Sequence, residues 1–239
     1  MTTTSDLIRE NRKREVWMKH CGFINLSVEE FMEIQNRLML EQLHLLNNSI
    51  IGKEIMGENE ISSVEEFREK VPLTTYKDYA KYMEEKNEDV LPVKPHAWAR
   101  SSGRTSPSGF KRIPITKQMY DNLAEPTISA LIMASCTQEG DIRLERFDKL
   151  LLATPPPPYI SGLGSYSARD QVEISYLPPL EEGDQMEFAE RIAVGFKMAM
   201  KEGLDHFYGV ASVLAAMGER FESQTDTTEP SKDMLNPQV

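Results

Sequence analysis

In residues 1–95, hydrophobic positions recur every three or four residues between charged ones, a spacing typical of amphipathic helices. Ser27 precedes Glu30 by three residues, and Ser63 precedes Glu66 in the same way. A hydroxyl residue three positions before a glutamate predicts a capping box at a helix N-terminus. We therefore expect helices to begin at both serines, within a helical N-terminal segment. The apolar face of the helix after Ser27 is predicted to consist of Phe31, Ile34, Leu38 and Leu45.

After His96, short apolar runs alternate with longer amphipathic stretches. Ala97–Arg100 and the stretch 111–115 predict two strands on either side of a Ser/Gly-rich loop. The run KLLLA at Lys149–Ala153 predicts a buried strand, and His206–Gly209 predicts another. Because strands alternate with helices in this half, we expect parallel pairing. The predicted fold class is therefore α/β, with a helical N-terminal segment followed by alternating strands and helices.

These changes of pattern divide the chain into three parts. Residues 1–95 form the helical N-terminal segment, and residues 96–223 form an α/β segment that contains the Ser/Gly-rich loop. Residues 224–239 form a polar tail of Thr, Ser, Asp and Pro with few apolar positions, which is typical of a disordered or linker segment. Because the tail resembles an interrupted loop more than a natural terminus, we expect the chain to be truncated.

The formal net charge of −11 argues against non-specific binding of nucleic acid or of an anionic membrane surface. The chain has no apolar run of about 18 residues, so we expect no membrane-spanning helix. Cys21 and Cys136 lie far apart and form no CxxC pair, which indicates neither a zinc site nor a disulfide framework. Together with a polar start that has no signal-peptide core, these features predict a cytoplasmic protein.

The Ser/Gly-rich loop runs from Ser101 to Lys111 and reads SSGRTSPSGFK. Glycine lets the backbone approach an anion closely and adopt positive φ, and successive N–H groups on such a turn form a concave anion site. Hydroxyl groups add donors, while Arg104 and Lys111 add positive charge. This combination suits the β- and γ-phosphates of a nucleotide. The Walker spacing GxxxxGK[ST] is absent, however, and the composition alone also fits a flexible hairpin.

Two strings in this part of the chain resemble those of adenylate-forming enzymes. SSGRTSPSGFKRIPIT resembles the phosphate loop of that superfamily, which usually reads like SSGTTGxPK. Upstream, SVEEFREKVPLTTYKDYAKYM resembles the stretch that precedes this loop in phenylacetate–CoA ligases and plant acyl-acid–amido synthetases. Arg104 stands where the superfamily usually has a threonine, and Pro107 and Ser108 form an insertion. The residues that carry the upstream likeness are Phe67, Arg68, Val71, Pro72, Thr74 and Asp78.

The resemblance implies that the chain is the N-terminal part of an ATP-dependent ligase that activates a carboxylic acid as an acyl-adenylate. The acyl group would then move to a thiol such as CoA or to an amine, with Mg²⁺ screening the phosphate charge. The chain would form part of the large N-terminal domain of such an enzyme. We assign no catalytic residue and no metal ligand. The implied phosphate-binding residues are Ser101, Ser102, Gly103, Arg104, Thr105, Ser106, Gly109 and Lys111.

Further downstream, KLLLATPPPPYISGLG resembles the strand and loop that line the acyl pocket in these families. The proline run at 155–158 and a turn at 162–164 predict a long loop after the strand. Such a loop is either a wall of the acyl pocket or a rigid surface connection. The acyl-pocket candidates are Tyr159, Gly162, Gly164 and His206.

The families also have an aromatic-x-x-(S/T)-E motif, an Asp for the ribose hydroxyls and a distal Lys, and this sequence contains no convincing version of them. We therefore expect the chain to be inactive alone. Its expected partners are a small-molecule carboxylic acid and a missing C-terminal half or second subunit. Two alternatives remain open at this point: a catalytically incomplete nucleotide- or acyl-binding module, and a structural remnant whose loop is merely a hairpin.

Overall fold

The computed structural model describes residues 2–57, 60–103, 109–216 and 219. A short 3₁₀ turn at Gly22–Asn25 follows the second helix, and residues 211–216 are helical. The helices are α1 (Thr4–Arg9), α2 (Lys13–His20), α3 (Val28–Asn47), α4 (Ile50–Met56), α5 (Val64–Lys70), α6 (Tyr76–Glu84), α7 (Lys117–Asn122), α8 (Ala124–Ser135), α9 (Ile160–Gln171), α10 (Leu180–Gly183) and α11 (Phe188–Glu202). The strands are β1 (Ala97–Arg100), β2 (Arg112–Ile115), β3 (Lys149–Ala153), β4 (Ser175–Leu177) and β5 (His206–Gly209).

The predicted fold class is confirmed: the chain is mixed α/β, with a helical N-terminal segment followed by strands and helices. The chain divides into two compact units. Gly22–Asp121 forms one of them, here called the helical unit. Met1–Cys21 together with Asn122–Val239 forms the other, here called the sheet unit. The predicted tail at 224–239 lies outside the described residues.

The predicted helix starts are confirmed at both serines. At Ser27 the capping box is complete, because its hydroxyl accepts from the Glu30 amide and the Glu30 carboxylate accepts from the Ser27 amide. At Ser63 the hydroxyl accepts from the Glu66 amide at 3.0 Å, but the Glu66 carboxylate accepts from the Ser62 amide instead. The helix therefore begins where it was predicted, but the predicted hydrogen bond from the Ser63 amide to the Glu66 carboxylate is wrong.

The predicted apolar face of α3 is only partly covered by the rest of the described structure. Phe31 is 48% exposed, and of the residues in α3, which is described in full, Leu43 is the buried one. Leu43 packs with Met56 and Ile61 because α3 contacts α4 and α5 along its C-terminal half. Helical periodicity marks an apolar stripe but does not say which turns of the helix have a packing partner. Ile34, Leu38 and Leu45 are half-buried.

In the helical unit, β1 and β2 form the antiparallel hairpin that the sequence predicted. Ala97 pairs with Ile115 at one end, and Arg100 pairs with Arg112 at the other. Helix α6 packs against β2, and Tyr76 at the start of α6 belongs to the same apolar cluster as Trp98 of β1. The hairpin therefore presents its open end, between Arg100 and Arg112, to the Ser/Gly-rich loop.

In the sheet unit, the strand order is β4-β3-β5, and both outer strands run parallel to β3. The expectation of parallel pairing is therefore confirmed. Leu150 and Leu151 are fully buried, as the uniformly apolar run predicted. Helix α11 packs on β3 and β4 through Gly195, where a Cβ would lie 2.5 Å from the Leu177 carbonyl oxygen. Glycine at this position therefore sets how closely the helix approaches the sheet.

Helix α2 joins the core of the sheet unit, where Val16 and Trp17 share a cluster with Ile128 and Ile132 of α8. His20 is also buried there. Its Nε2 lies 2.7 Å from the Thr4 hydroxyl, and its Nδ1 lies 2.6 Å from a Glu125 carboxylate oxygen. Because Thr4 and His20 are buried, this chain of hydrogen bonds anchors the N-terminal helices to the core of the sheet unit. Across the described parts of the chain, none of the helices is long and apolar enough to cross a bilayer.

Candidate functional site

The Ser/Gly-rich loop leaves the hairpin through a narrow neck formed by Ser101 and Lys111. The Ser101 amide donates to the Lys111 carbonyl at 2.9 Å, and the Lys111 amide donates to the Ser101 hydroxyl at 2.9 Å. The first bond continues the backbone pairing of β1 and β2, the second adds a side-chain contact, and together they fix where the loop begins and ends. Five residues between Gly103 and Gly109, which include the predicted contacts Arg104, Thr105 and Ser106, lie outside the described residues.

Two glycines with left-handed backbone conformation lie directly before and directly after these five residues. Gly103 has φ +74° and Gly109 has φ +85°. A Cβ at Gly103 would lie 2.9 Å from the Phe110 amide nitrogen, whereas a Cβ at Gly109 would have no described residue within 4 Å. Gly103 is therefore required by both conformation and space, and Gly109 by conformation alone. Turns of this kind place successive amides on one concave side, which is the backbone geometry of anion sites.

Three cationic side chains flank the neck of the loop. The guanidinium carbons of Arg100 and Arg112 lie 5.6 Å and 5.2 Å from the centroid of the Phe110 ring. The Lys111 ammonium lies 5.4 Å from the Tyr76 ring centroid. Among the residues that the structure describes, no acidic side chain forms an ion pair with Lys111 or Arg112. In a chain of net charge −11, a local group of cations such as this one favours a polyanionic ligand.

Tyr76 connects the upstream stretch to the loop. Its hydroxyl accepts a hydrogen bond from the Arg112 amide at 3.1 Å, and its ring faces the Lys111 ammonium. Tyr76 is the first residue of α6, where Thr75 and Asp78 form a complete capping box. Hydrogen bonds from the Thr75 amide and hydroxyl lower the pKa of Asp78, which keeps the cap ionised. The capping box therefore sets the position of the side chain that supports strand β2 beside the loop.

The sequence pattern did not mark Tyr76, Arg100 or Arg112 as site residues. The two arginines bracket the loop directly in the sequence, one before Ser101 and one after Lys111, and this symmetry is a signal that could have found them. Tyr76 carries no comparable signal, because its role depends on a contact between residues 36 positions apart.

The acyl-pocket candidates lie in the sheet unit, and the long loop predicted there is wrong in its second half. Tyr159 precedes α9, while Gly162 and Gly164 are buried within that helix. A Cβ at Gly162 would lie 2.2 Å from the Pro157 nitrogen, and one at Gly164 would lie 3.4 Å from the Leu123 carbonyl oxygen. These glycines therefore allow α9 to pack closely on the proline run and on α8, instead of forming a turn.

The structure does not bring His206 together with the other acyl-pocket candidates. His206 pairs in register with Leu150 at the start of the parallel strands, and its Nε2 lies 2.9 Å from an Asp148 carboxylate oxygen. Tyr159 and Gly162 instead follow the carboxyl end of β3. A strand of this length separates the two ends by about 10 Å. His206 therefore forms a hydrogen bond with Asp148 at the amino end of the parallel strands.

Thr154 is a residue at the carboxyl end of β3 that the sequence analysis missed. It is buried, and its hydroxyl has no hydrogen-bond partner among the described residues. It directly follows Ala153, which pairs in register with Gly209 of β5. Ligands of open parallel sheets bind outside the carboxyl ends of the strands, so a buried hydroxyl left without a partner there is suited to a bound molecule. A threonine immediately after the apolar run KLLLA was the available signal.

A mixed α/β chain with a glycine-bounded, cation-flanked hairpin loop is compatible with the adenylate-forming class of proteins. The chain matches the GH3 family N-terminal domain over residues 21–151, which is more than half of its length. It therefore belongs to the GH3 family, a family of the acyl-adenylate and amido-synthetase type. The match includes the hairpin, its loop and most of β3, and ends before Thr154, Tyr159 and His206. No curated protein matches the chain.

Proposed function

We propose that this chain carries the ATP-phosphate site of a ligase that activates a carboxylic acid as an acyl-adenylate and transfers it to an amine or a thiol. The observation that carries the proposal is the loop neck within the region of the family match. There, Ser101 and Lys111 close the loop, Gly103 and Gly109 supply left-handed turns, and the Lys111 ammonium has no acidic partner among the described residues.

In the proposed first step, a carboxylate oxygen of the acid attacks the α-phosphorus of ATP. The bond from that phosphorus to the bridging oxygen breaks, and pyrophosphate leaves with the electron pair. The loop's part is to hold the β- and γ-phosphates and to stabilise the charge that develops on pyrophosphate. The backbone amides near Gly103 and Gly109 and the Lys111 ammonium are the described donors for this role. Ser102, Arg104, Thr105 and Ser106 are proposed as further contacts.

In the proposed second step, an amine nitrogen or a thiol sulfur attacks the acyl carbon, and AMP leaves. The amido-synthetase character of the family favours an amine over CoA as the acceptor. We therefore propose an activity of the acyl-acid–amido synthetase kind in preference to that of the phenylacetate–CoA ligases.

Mg²⁺ is implied by the use of ATP. Within the residues that the structure describes, no three His, Cys, Asp or Glu side chains converge on a common point. We therefore assign no residue of this chain to the ion.

A calorimetric titration with ATP tests the proposal. We expect the wild-type chain to bind ATP and Lys111→Ala to bind it about tenfold more weakly, because a charge-assisted contact to phosphate is lost. Lys94→Ala is the matched control in the same unit, because Lys94 is exposed, lies outside the loop and has only a long 3.8 Å contact to Glu88. Equal affinity in all three proteins, or no ATP binding by the wild type, would contradict the proposed site.

Exchange of label between pyrophosphate and ATP, measured with a panel of carboxylic acids, separates a ligase from the alternative of a catalytically incomplete module. Acid-dependent exchange means that the chain itself performs the first step. ATP binding that depends on Lys111 but gives no exchange with any acid favours a nucleotide- or acyl-binding module.

A further inference from the structure

The helical unit contains an open cavity of about 450 Å³ that is separate from the phosphate loop. It lies where α3, α4 and α5 meet the extended segment that follows α5. Its volume is within the range of about 300–1,000 Å³ that small-molecule sites occupy. The lining residues are Leu46, Gly52, Ile55, Met56, Phe67, Arg68, Val71, Pro72, Leu73 and Thr74.

The walls of this cavity are mostly apolar and incompletely covered. Leu46, Phe67 and Val71 pack around the buried cluster of the helical unit but keep part of their surface exposed. Leu73 at the rim has a relative exposure of 104%, so nothing in the described structure covers it. When an apolar ligand covers water-exposed apolar surface in a cavity, the free energy of the system falls, which favours binding.

One cation stands among these apolar groups. Arg68 is exposed, and within the described ranges it forms neither an ion pair nor a hydrogen bond. Its neighbour Glu66 is already engaged by Lys70 and by the Ser62 amide. A guanidinium presents a planar fork of N–H donors that matches the two oxygens of a carboxylate. The cavity therefore combines an apolar interior with one anion-binding group at its surface.

We propose that this cavity binds a small carboxylic acid with an apolar tail. The tail lies between Leu46, Ile55 and Val71, and the carboxylate is held by the Arg68 guanidinium. None of the lining residues belongs to the loop neck or to the carboxyl end of the parallel sheet. The site is therefore distinct from the one that would bind ATP, and the inference does not rest on the proposed function.

Titration of isotope-labelled protein with octanoate, followed by NMR chemical shifts, tests this site. We expect shifts confined to α3–α5 and residues 71–74, and weaker binding of octan-1-ol at the same place. Arg68→Gln should weaken octanoate binding about fivefold, as expected for an exposed ion pair, and leave octan-1-ol binding unchanged. Arg37→Gln is the matched control, since Arg37 is an exposed arginine of α3 that pairs with Glu41 and does not line the cavity.

A second variant keeps the test independent of charge. Val71→Phe places a larger ring in the cavity and should weaken both ligands, while far-ultraviolet circular dichroism shows that the helices are intact. Lys111→Ala should bind octanoate like the wild type, because the loop is not part of this site. The proposal is wrong if octanoate causes no shifts in α3–α5, if Arg68→Gln and Arg37→Gln bind it equally, or if Val71→Phe binds both ligands as tightly as the wild type.

Discussion

Gly103→Ala tests whether the loop neck has the geometry that phosphate binding needs. At φ +74° an alanine side chain costs about 1 kcal/mol relative to glycine. The new methyl would also lie 2.9 Å from the Phe110 nitrogen and 3.1 Å from the Gly109 carbonyl carbon. Both are backbone atoms of the opposite side of the neck, so relief of the contact requires the neck to open. We assign about 1 kcal/mol more to this contact.

The sum of about 2 kcal/mol lowers the population of the closed neck about thirtyfold relative to the open one. If the closed neck is the form that binds phosphate and the open neck predominates in the free protein, the apparent affinity for ATP falls by a similar factor. Gly109→Ala is the internal comparison, because Gly109 has φ +85° and, among the described residues, no atom within 4 Å of the new methyl. It should lose only the conformational part, about fivefold in affinity.

Gly140→Ala is the control in the sheet unit, since Gly140 has φ +77° and open space around its Cα. It should lower the free energy of unfolding by about 1 kcal/mol in urea and leave ATP affinity unchanged. Calorimetry with ATP and urea unfolding of the three variants form the assay. The reasoning would be refuted if Gly103→Ala bound ATP no more weakly than Gly109→Ala, or if Gly140→Ala weakened binding as much as either.

The remaining predictions concern three other contacts. Tyr76→Phe removes the hydroxyl that accepts from strand β2, and urea unfolding should show a loss of about 1 kcal/mol, whereas an unchanged stability would mean that water replaces the bond. Gly195→Ala places a methyl 2.5 Å from a β4 carbonyl oxygen and should destabilise the protein by about 2 kcal/mol; a fully stable variant would contradict the close packing of α11. Lys70, together with the Ser62 backbone and hydroxyl, lowers the pKa of Glu66 from 4.5 to about 2. The ionised Glu66 carboxylate should therefore stabilise the fold fully above pH 4.5 and progressively less as the pH falls towards 2. Glu66→Gln should flatten the dependence of the free energy of unfolding on pH in that window. If the pH dependence of the variant runs parallel to that of the wild type, the ion pair does not stabilise the fold.

The features that the sequence predicted correctly are those encoded over short distances. The capping box at Ser27 needs only a hydroxyl and a carboxylate three residues apart. The hairpin around the loop needs two short strands on either side of flexible residues, and the fully apolar run at Lys149–Ala153 needs burial on both faces. Each of these follows from local geometry and from the period of hydrophobic positions.

The features that the sequence did not reveal depend on contacts between distant residues. Gly162 and Gly164 have the composition of a turn, but their lack of a side chain serves helix packing against Pro157 and Leu123. Phe31 repeats with helical spacing, yet the part of α3 that finds a partner is the half around Leu43. In each case the local composition fits either structure, and contacts with distant residues decide which one forms.

The candidate site divides in the same way. Lys111, Gly103 and Gly109 could be identified because they resemble a known loop, and the structure places them at one neck. Thr154 could not, because its significance lies in a buried hydroxyl that has no partner among the described residues. Their roles in binding stay predictions, as does the assignment of His206, which the register places at the opposite end of the sheet from Thr154.

The measurement that tests the central claim most directly is amide hydrogen exchange of the chain with and without ATP. We predict that ATP slows exchange in the peptide that contains Gly103, Gly109 and Lys111, and that Lys111→Ala abolishes this protection while exchange in α3–α5 is unchanged. If ATP leaves exchange between Ser101 and Lys111 unaltered, or if the protected amides lie elsewhere in the chain, the loop is not the nucleotide site.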